Sequence, residues 1–263
     1  LLGEWCKSYK KRNFYKKFNY DLFEYHWDNR TKLHSDYQYL MNLYEKILPK
    51  LSSALNEIHN TTYPVSYWRI IVGPWLIFFT QILYDRWQNI HLALDKYDII
   101  ETTILDFKVE HMIPNDMSAF HTMYRGDKWN HFIFSEIIKN TTDISFVKKS
   151  RAYKSHHFNN KEERVNFKQK IKRKLTSLLY LFTKDDEPFF ISTYLSILNE
   201  LKLSLMLGKM PQINYTPKTR TIYPNIKNRV WEINLKGDSR FENYLLKTIP
   251  VQIPTIYLEG YST

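Results

Sequence analysis

One glutamate near the start of the sequence has the residue type and the setting for acid–base chemistry. Glu4 follows the apolar residues Leu1-Leu2-Gly3, which we interpret as the last residues of a buried strand. Open α/β sheets bind ligands in the loops that follow the carboxyl ends of their strands. A carboxylate in such a loop can act as the general base on a hydroxyl group. The alternative is that Glu4 caps the following turn or pairs with a lysine.

A second group of candidate residues lies around Trp129. Asp127 precedes the sequence Trp129-Asn130-His131, so a carboxylate, an indole, an amide and an imidazole occur close together. Tryptophan can stack on the face of a sugar, and asparagine and histidine can hydrogen-bond to its hydroxyl groups. The pattern favours a saccharide site. The alternative is a helix start with ordinary core aromatics.

Two further positions are candidates for chemistry. His26 lies in the sequence Tyr25-His26-Trp27-Asp28 and is either a general acid or base or a satisfied buried polar group. Arg69 lies among aromatic residues, where a guanidinium suits a planar anionic or sugar-like ligand. The alternative for Arg69 is packing combined with a salt bridge at the rim of the core.

No sequence motif indicates a metal or a bound nucleotide. The chain has only 6 glycines and no glycine-rich phosphate loop, and its histidines lack the spacing of zinc motifs. We therefore expect no cofactor and no metal in this chain. The single cysteine, Cys6, excludes an internal disulfide and is typical of a reducing compartment.

The candidate residues must be positioned by helices and strands. The most apolar stretch of the sequence, residues 67–87, predicts the central helix. No charged residue occurs between Arg69 and Asp85, and this gap is shorter than the ~18–20 residues that a membrane-spanning helix needs. We interpret the stretch as a helix that is buried on nearly all sides and is bent or restarted at Gly73-Pro74.

The rest of the chain alternates between helical and extended patterns. One helix is predicted for residues 33–58, and a second starts at 114–116 and breaks at 125–127. Further predicted helices cover residues 128–138, 197–207 and the stretch from a capping box at 239–242 to before Pro250. Predicted strands end at Glu4 and cover residues 99–107, 144–147, 189–193 and 230–235, and residues 253–259 are expected to be extended. This alternation favours an α/β fold with a mainly parallel sheet and a large helical insertion at about residues 31–97.

The charge of the chain restricts its partners. The formal net charge is +11, which favours nucleic acid, an anionic membrane surface or acidic small substrates. Residues 7–17 and 148–174 are the most basic stretches, and each is alternatively a solvated face. A basic nucleic-acid-binding protein without catalytic activity is therefore an alternative function, although no recognised reader motif is present. A third possible function is that of a purely structural module without catalytic activity.

Several motifs spread over the chain together resemble one bacterial family. They are LGEWC at the start, YHWDNR, YWRIIVGPWL with DRW, KWNH, LGKMPQ, and IPTIYLEGY at the end. In this order they resemble a transferase family encoded in O-antigen and other surface-polysaccharide gene clusters.

The resemblance implies a two-domain glycosyltransferase of GT-B type, of which this chain would be the amino-terminal, acceptor-side half. Residues 1–252 would form a Rossmann-like domain, and residues 253–263 would lead towards a missing domain that holds the nucleotide-sugar donor. Glu4 would be the catalytic base, and His26 is the second catalytic candidate. A saccharide or lipid-linked acceptor would contact these residues: Trp5, Arg69, Asp127, Trp129, Asn130 and His131. The protein would be cytoplasmic and peripheral at the anionic inner face of the membrane, with nucleic acid not expected as a partner.

Overall fold

Helices make up most of the structure, a computed structural model in which residues 1–7, 9–149, 195–208 and 222–261 are described. The helices are α1 (Arg12–Tyr15), α2 (Arg30–His59), α3 (Val65–Ile71), α4 (Gly73–Lys96), α5 (Met117–Met123), α6 (Asp127–Thr141), α7 (Ile197–Met206) and α8 (Arg240–Gln252). The strands are β1 (Glu101–Leu105) and β2 (Ser145–Lys149). The chain divides into two units, residues 1–151 with 220–263 and residues 152–219, and α7 lies in the second.

The apolar stretch at residues 67–87 forms the centre of the first unit. α3 ends at Ile71 and α4 begins at Gly73, with Pro74 in its first turn, where the missing proline N–H would have no helical partner. The expected restart at Gly73-Pro74 is therefore confirmed. Trp75 is fully buried, but Ile70 is 75% exposed and Phe78 is 43% exposed. The prediction of burial on nearly all sides is wrong, because one face of this stretch meets solvent.

α4 connects the other elements of the first unit. It packs against α2, α3, α5, α6 and α8, so most of the core lies around this one helix. The predicted helix at residues 33–58 is confirmed as α2, which continues through Pro49. Its buried residues recur at the helical period and face α4 and α3: Leu40, Leu43, Tyr44, Ile47, Leu48, Leu51 and Leu55.

A small parallel sheet confirms two of the predicted strands. β1 pairs with β2 in a register that runs from Glu101 opposite Ser145 to Leu105 opposite Lys149. α5 and α6 connect the two strands, and α6 packs against β1. The described residues therefore combine a helical core with one small parallel strand pair. The predicted strand at residues 189–193 and most of the basic stretch at 148–174 lie outside the described residues.

Two predicted strands are wrong. Residues Glu4–Cys6 form a 3₁₀ helix, in which the Cys6 N–H donates to the Gly3 carbonyl at 3.1 Å, so no strand ends at Glu4. Residues 230–235 are irregular, and a tight turn joins the Leu235 N–H to the Ile233 carbonyl at 2.6 Å. Both apolar stretches are short, and a short apolar run does not by itself select a strand.

The end of the described chain differs from the expected extended segment. Ser239 caps α8 as predicted, with its Oγ accepting from the Glu242 N–H at 3.1 Å, but the helix continues through Pro250 to Gln252. Residues 253–261 then pack against the rest of the first unit through a 3₁₀ helix, Thr255–Tyr257. The Thr255 N–H donates to the Pro114 carbonyl at 3.0 Å, and Tyr261 stacks on His59 at 4.1 Å between ring centroids.

α7 is described by itself within the second unit. Ser196 caps its start by accepting from the Asn199 N–H, and Gly208, which follows the helix, has a positive φ of 68°. This left-handed conformation favours glycine and ends the helix. The predicted helix at residues 197–207 and its stop at Gly208 are therefore confirmed.

Candidate functional site

A pocket of about 570 Å³ lies between α6, the second half of α4, β1 and the amino-terminal segment. We call it the α6 pocket, and its polar lining residues are Cys6, Tyr20, Asp21, Thr102, Thr103, Asp127, Asn130, His131 and Ser135. Its other lining residues, which are apolar apart from the hydroxyl of Tyr97, are Leu1, Leu2, Phe23, Ile90, Ala93, Leu94, Tyr97, Ile99, Ile104, Phe134, Ile138 and Ile144. Mostly apolar walls with a few convergent polar groups are typical of ligand sites.

α6 supplies one complete wall of the α6 pocket. Its lining residues occur at positions 127, 130, 131, 134, 135 and 138, which is the spacing of one helix face. Gly126 ends the preceding turn, and α6 starts at Asp127. The break that the sequence predicts at Arg125-Gly126-Asp127 is what brings three predicted substrate residues, Asp127, Asn130 and His131, into the α6 pocket.

Asp127 is an available carboxylate in the α6 pocket. It is exposed and makes no hydrogen bond or ion pair with any described residue. Asp21, on the amino-terminal segment, is the other carboxylate in the lining. A carboxylate without a protein partner is free to accept a proton or a hydrogen bond from a ligand.

His131 has a defined protonation state. Its Nε2 accepts a hydrogen bond from the Leu105 N–H at 3.2 Å, so the lone pair of Nε2 is occupied and the proton of the neutral ring is on Nδ1. Burial lowers the pKa of His131 below its usual value, which keeps the ring neutral at pH 7. His131 is therefore a hydrogen-bond donor through Nδ1, not a base.

Asn130 joins the α6 pocket to a charged network behind it. Its amide nitrogen donates to the Tyr124 carbonyl at 2.7 Å and to the Gly126 carbonyl at 3.0 Å, and its Oδ1 accepts from Nε of Arg86 at 2.9 Å. Arg86 also donates to Asp85, whose side chain is 3% exposed. Asn130 thus fixes the start of α6 and the position of Arg86, and retains one acceptor lone pair for a ligand.

His26 lies in this network and outside the lining of the α6 pocket. Its Nε2 is 3.0 Å from Oδ1 of Asp85, and its Nδ1 is 4.0 Å from Asp36 and has no hydrogen-bond partner. The pKa of His26 is lowered to about 4, mainly by burial and to a smaller extent by the charge of Lys32, while Asp36 opposes both effects. In this structure His26 supports Asp85 and Arg86 and does not face a ligand.

Asp36 is the other anchor of the network. Its carboxylate accepts from the Trp27 indole N–H at 3.0 Å, from Lys32 at 2.9 Å and from the Tyr84 hydroxyl at 3.0 Å. These bonds connect the segment before α2 to the middle of α4. His26 is thus buried and bonded through Nε2, as in the alternative of a buried polar group, although its Nδ1 has no partner among the described residues.

Glu4 is placed differently from the expectation. Its carboxylate binds Lys7 at 2.8 Å, its side chain is 72% exposed, and it does not line the α6 pocket. The pairing with a lysine is the alternative that the sequence offered. The side chain of Trp5 lies outside the described part of the structure.

The remaining two predicted substrate residues lie away from the α6 pocket. Trp129 is 1% exposed, and its indole N–H donates to Gln252 at 3.2 Å, so its ring has no face open to a sugar. Arg69 forms a two-pronged salt bridge with Glu45 at 2.6 and 2.7 Å and lies over the Tyr44 ring. These contacts are the packing and salt bridge that the sequence left as alternatives.

Sequence reasoning missed several residues of the α6 pocket, and a usable signal existed for some of them. Phe134, Ser135 and Ile138 follow Asp127 at one-face helical spacing, so extending that pattern along α6 would have found them. Asp21 had no such signal, because its position depends on contacts between the amino-terminal segment and α4.

Two classes of feature are not found in the described ranges. No cluster of three or more histidine, cysteine or acidic side chains could hold a metal ion there. None of the helices in residues 1–7, 9–149, 195–208 and 222–261 has the length and apolar composition required to cross a bilayer.

Comparison with known proteins gives one family. The family model described as "LIC12162 family transferase" matches residues 1–263. No curated protein and no solved structure has a significant match to the chain. Since the family model covers the whole sequence, the chain belongs to the LIC12162 family of transferases.

Proposed function

We propose that this chain is the acceptor-side part of a GT-B-type glycosyltransferase. In this proposal a sugar passes from a nucleotide-sugar donor to a hydroxyl group of a surface-polysaccharide or lipid-linked acceptor that binds in the α6 pocket. Membership of a transferase family supports group transfer. The observation that carries the proposal is the convergence of Asp127, Asn130 and His131 in one pocket.

The proposed reaction uses the carboxylate of Asp127 as general base. Asp127 takes the proton of the acceptor hydroxyl while that oxygen bonds to the anomeric carbon and the nucleotide phosphate departs. His131 donates through Nδ1–H to an acceptor oxygen, and Asn130 accepts from an acceptor hydroxyl. We assign the base to Asp127 instead of Glu4 or His26, because Glu4 pairs with Lys7 and His26 is enclosed.

The donor would bind elsewhere in the complete protein. The described residues contain no glycine-rich phosphate loop, which fits a donor site supplied by a second Rossmann-like domain. In this proposal Arg69 and Trp129 support the fold, and the role of Trp5 as an acceptor contact stays a prediction.

Peripheral association with the cytoplasmic membrane is the proposed location. The segment 9–18 presents exposed cations and aromatic rings to solvent: Tyr9, Lys10, Arg12, Phe14, Lys16, Lys17 and Phe18. Arg12 lies over the Tyr9 ring at 4.4 Å, and the Phe14 and Phe18 rings are 4.7 Å apart. Cations with interfacial aromatics suit an anionic lipid surface.

A transfer assay tests the proposed function. The full-length protein is incubated with a panel of nucleotide sugars and a lipid extract from bacteria that carry the gene. We expect nucleotide release that requires both the extract and one donor, together with a lipid product heavier by one sugar. Release that is independent of the extract, or a product that carries a group other than a sugar, would contradict the proposal.

A further inference from the structure

We infer that the α6 pocket holds the hydrocarbon chain of a lipid-linked acceptor, with the polar head of the acceptor at the Asp127 end. The inference rests on the proposed function, since it names the acceptor class for the same site. Two features carry it: a pocket wall that changes from polar to apolar along α6, and the exposed basic and aromatic segment that leads into the lining.

The change in polarity follows the sequence of α6. Asp127 lies in its first turn, Asn130 and His131 follow, and Phe134, Ser135 and Ile138 lie further along the same face. The Ser135 hydroxyl donates to the His131 carbonyl at 2.7 Å, so its proton is already bonded within α6. At a rise of about 1.5 Å per residue, the distance from residue 127 to residue 138 is ~16 Å. A ligand lying along α6 therefore meets hydrogen-bonding groups at one end and hydrocarbon at the other.

The opposite walls continue the apolar part. Ile90, Ala93 and Leu94 come from α4, and Ile99 and Ile144 come from the segments before β1 and β2. β1 adds the hydroxyl groups of Thr102 and Thr103. Among the described residues, Asp21 and Asp127 are the charged members of the lining. A sugar ring or a nucleotide base placed against the isoleucines would leave polar groups unpaired, whereas a hydrocarbon chain would not.

The amino-terminal segment connects this pocket to a lipid surface. Phe14 and Phe18 are more than half exposed, and Lys16 and Lys17 lie between them in sequence. The same segment continues to Tyr20 and Asp21, which line the α6 pocket. A protein docked through residues 9–18 would thus have its pocket beside the bilayer from which a lipid-linked acceptor comes.

Calorimetric titration of the full-length protein tests the inference. Farnesol and isopentenol serve as probes, because they share a hydroxyl head group that suits the Asp127 end and differ in chain length. We expect farnesol to bind at least about tenfold more tightly, since each buried methylene adds affinity. Ile99→Asn should remove most of this difference. Ile100→Asn is the matched control, since Ile100 is adjacent, 78% exposed and outside the lining.

Equal affinity for the two probes, or equal loss in both variants, would overturn the inference. Labelling of the unmodified protein with a diazirine-bearing farnesol gives a second result that does not depend on a variant folding. Label on α6 and the second half of α4 is expected, and label elsewhere alone would contradict it. These readouts do not require transfer. Binding that depends on hydrocarbon length, without any sugar transfer, would therefore contradict the proposed function. Transfer to water-soluble acceptors without a dependence of binding on hydrocarbon length would contradict only this inference.

Discussion

Replacing His26 by glutamine should weaken the acid sensitivity of the fold. Glutamine keeps a donor for Asp85 but does not titrate. The side chain of His26 is 2% exposed, and its pKa is about 4 in the folded state compared with an ordinary value of 6.5. Between pH 4 and pH 6.5 the unfolded state therefore binds more protons than the folded state. The contribution of neutral His26 to the free energy of unfolding is therefore complete above pH 6.5 and is lost as the pH falls towards 4.

The magnitude follows from the same two values. Between pH 7 and pH 5 the linkage relation gives a loss of about 2 kcal/mol in the free energy of unfolding from His26 alone. Urea denaturation of the wild type and of His26→Gln at both pH values measures the difference, and the other histidines cancel in the comparison. We expect the wild type to lose about 2 kcal/mol more than the variant.

The opposite result would refute the reasoning. If the wild type gained stability on acidification relative to His26→Gln, His26 would carry a proton between Asp85 and Asp36, and its folded pKa would lie above 6.5. Arg86 would then face a differently charged network behind the α6 pocket.

Three further predictions address stability and location. Arg229→Met should lower the free energy of unfolding in urea by about 3–5 kcal/mol, because the buried Arg229 binds Glu259 at 2.6 Å and donates to three backbone carbonyls. Adding Glu259→Gln should recover part of this loss, and equal stability of the single variant and the wild type would contradict the prediction. Arg69→Ala should change the urea midpoint little, since its salt bridge with Glu45 is exposed to solvent, and should leave turnover unchanged. A raised KM in this variant would indicate that Arg69 contacts the acceptor. Sedimentation with anionic vesicles should show binding that high salt reverses. The double variant Phe14→Ser, Phe18→Ser should bind more weakly, whereas Phe78→Ser, at an exposed position on α4, should bind like the wild type. Binding that does not depend on salt or on lipid charge would exclude this mode of association.

The strongest periodic patterns in the sequence predicted the main helices. The spacing at residues 33–58, the Gly73-Pro74 restart and the Ser239 cap are local signals, and the structure follows them. The stop before Pro250 failed for a non-local reason. Arg229 donates to the carbonyls of Pro250, Val251 and Ile253, and so satisfies acceptors at the end of the helix.

The candidate site was predicted only where local sequence defined it. The turn at Gly126 places Asp127, Asn130 and His131 on one face of α6, and the sequence had singled out all three. Glu4 was predicted from an assumed strand that does not form, and its neighbour Lys7 takes up its charge. Trp129 points into the core because it lies about 200° around α6 from Asp127, on the face opposite the pocket. Such choices between faces depend on tertiary packing, which one sequence does not specify.

The most direct test of the central claim is the turnover of Asp127→Asn in the full-length protein. Two carboxylate-to-amide controls match it: Asp21→Asn, at the other carboxylate of the α6 pocket, and Asp143→Asn, at an exposed position outside the lining. If Asp127 is the general base, kcat for sugar transfer should fall by about 10²–10⁴-fold in Asp127→Asn while the urea midpoint stays unchanged, and Asp143→Asn should retain wild-type turnover. Wild-type turnover in Asp127→Asn, or a comparable loss confined to Asp21→Asn, would contradict the claim.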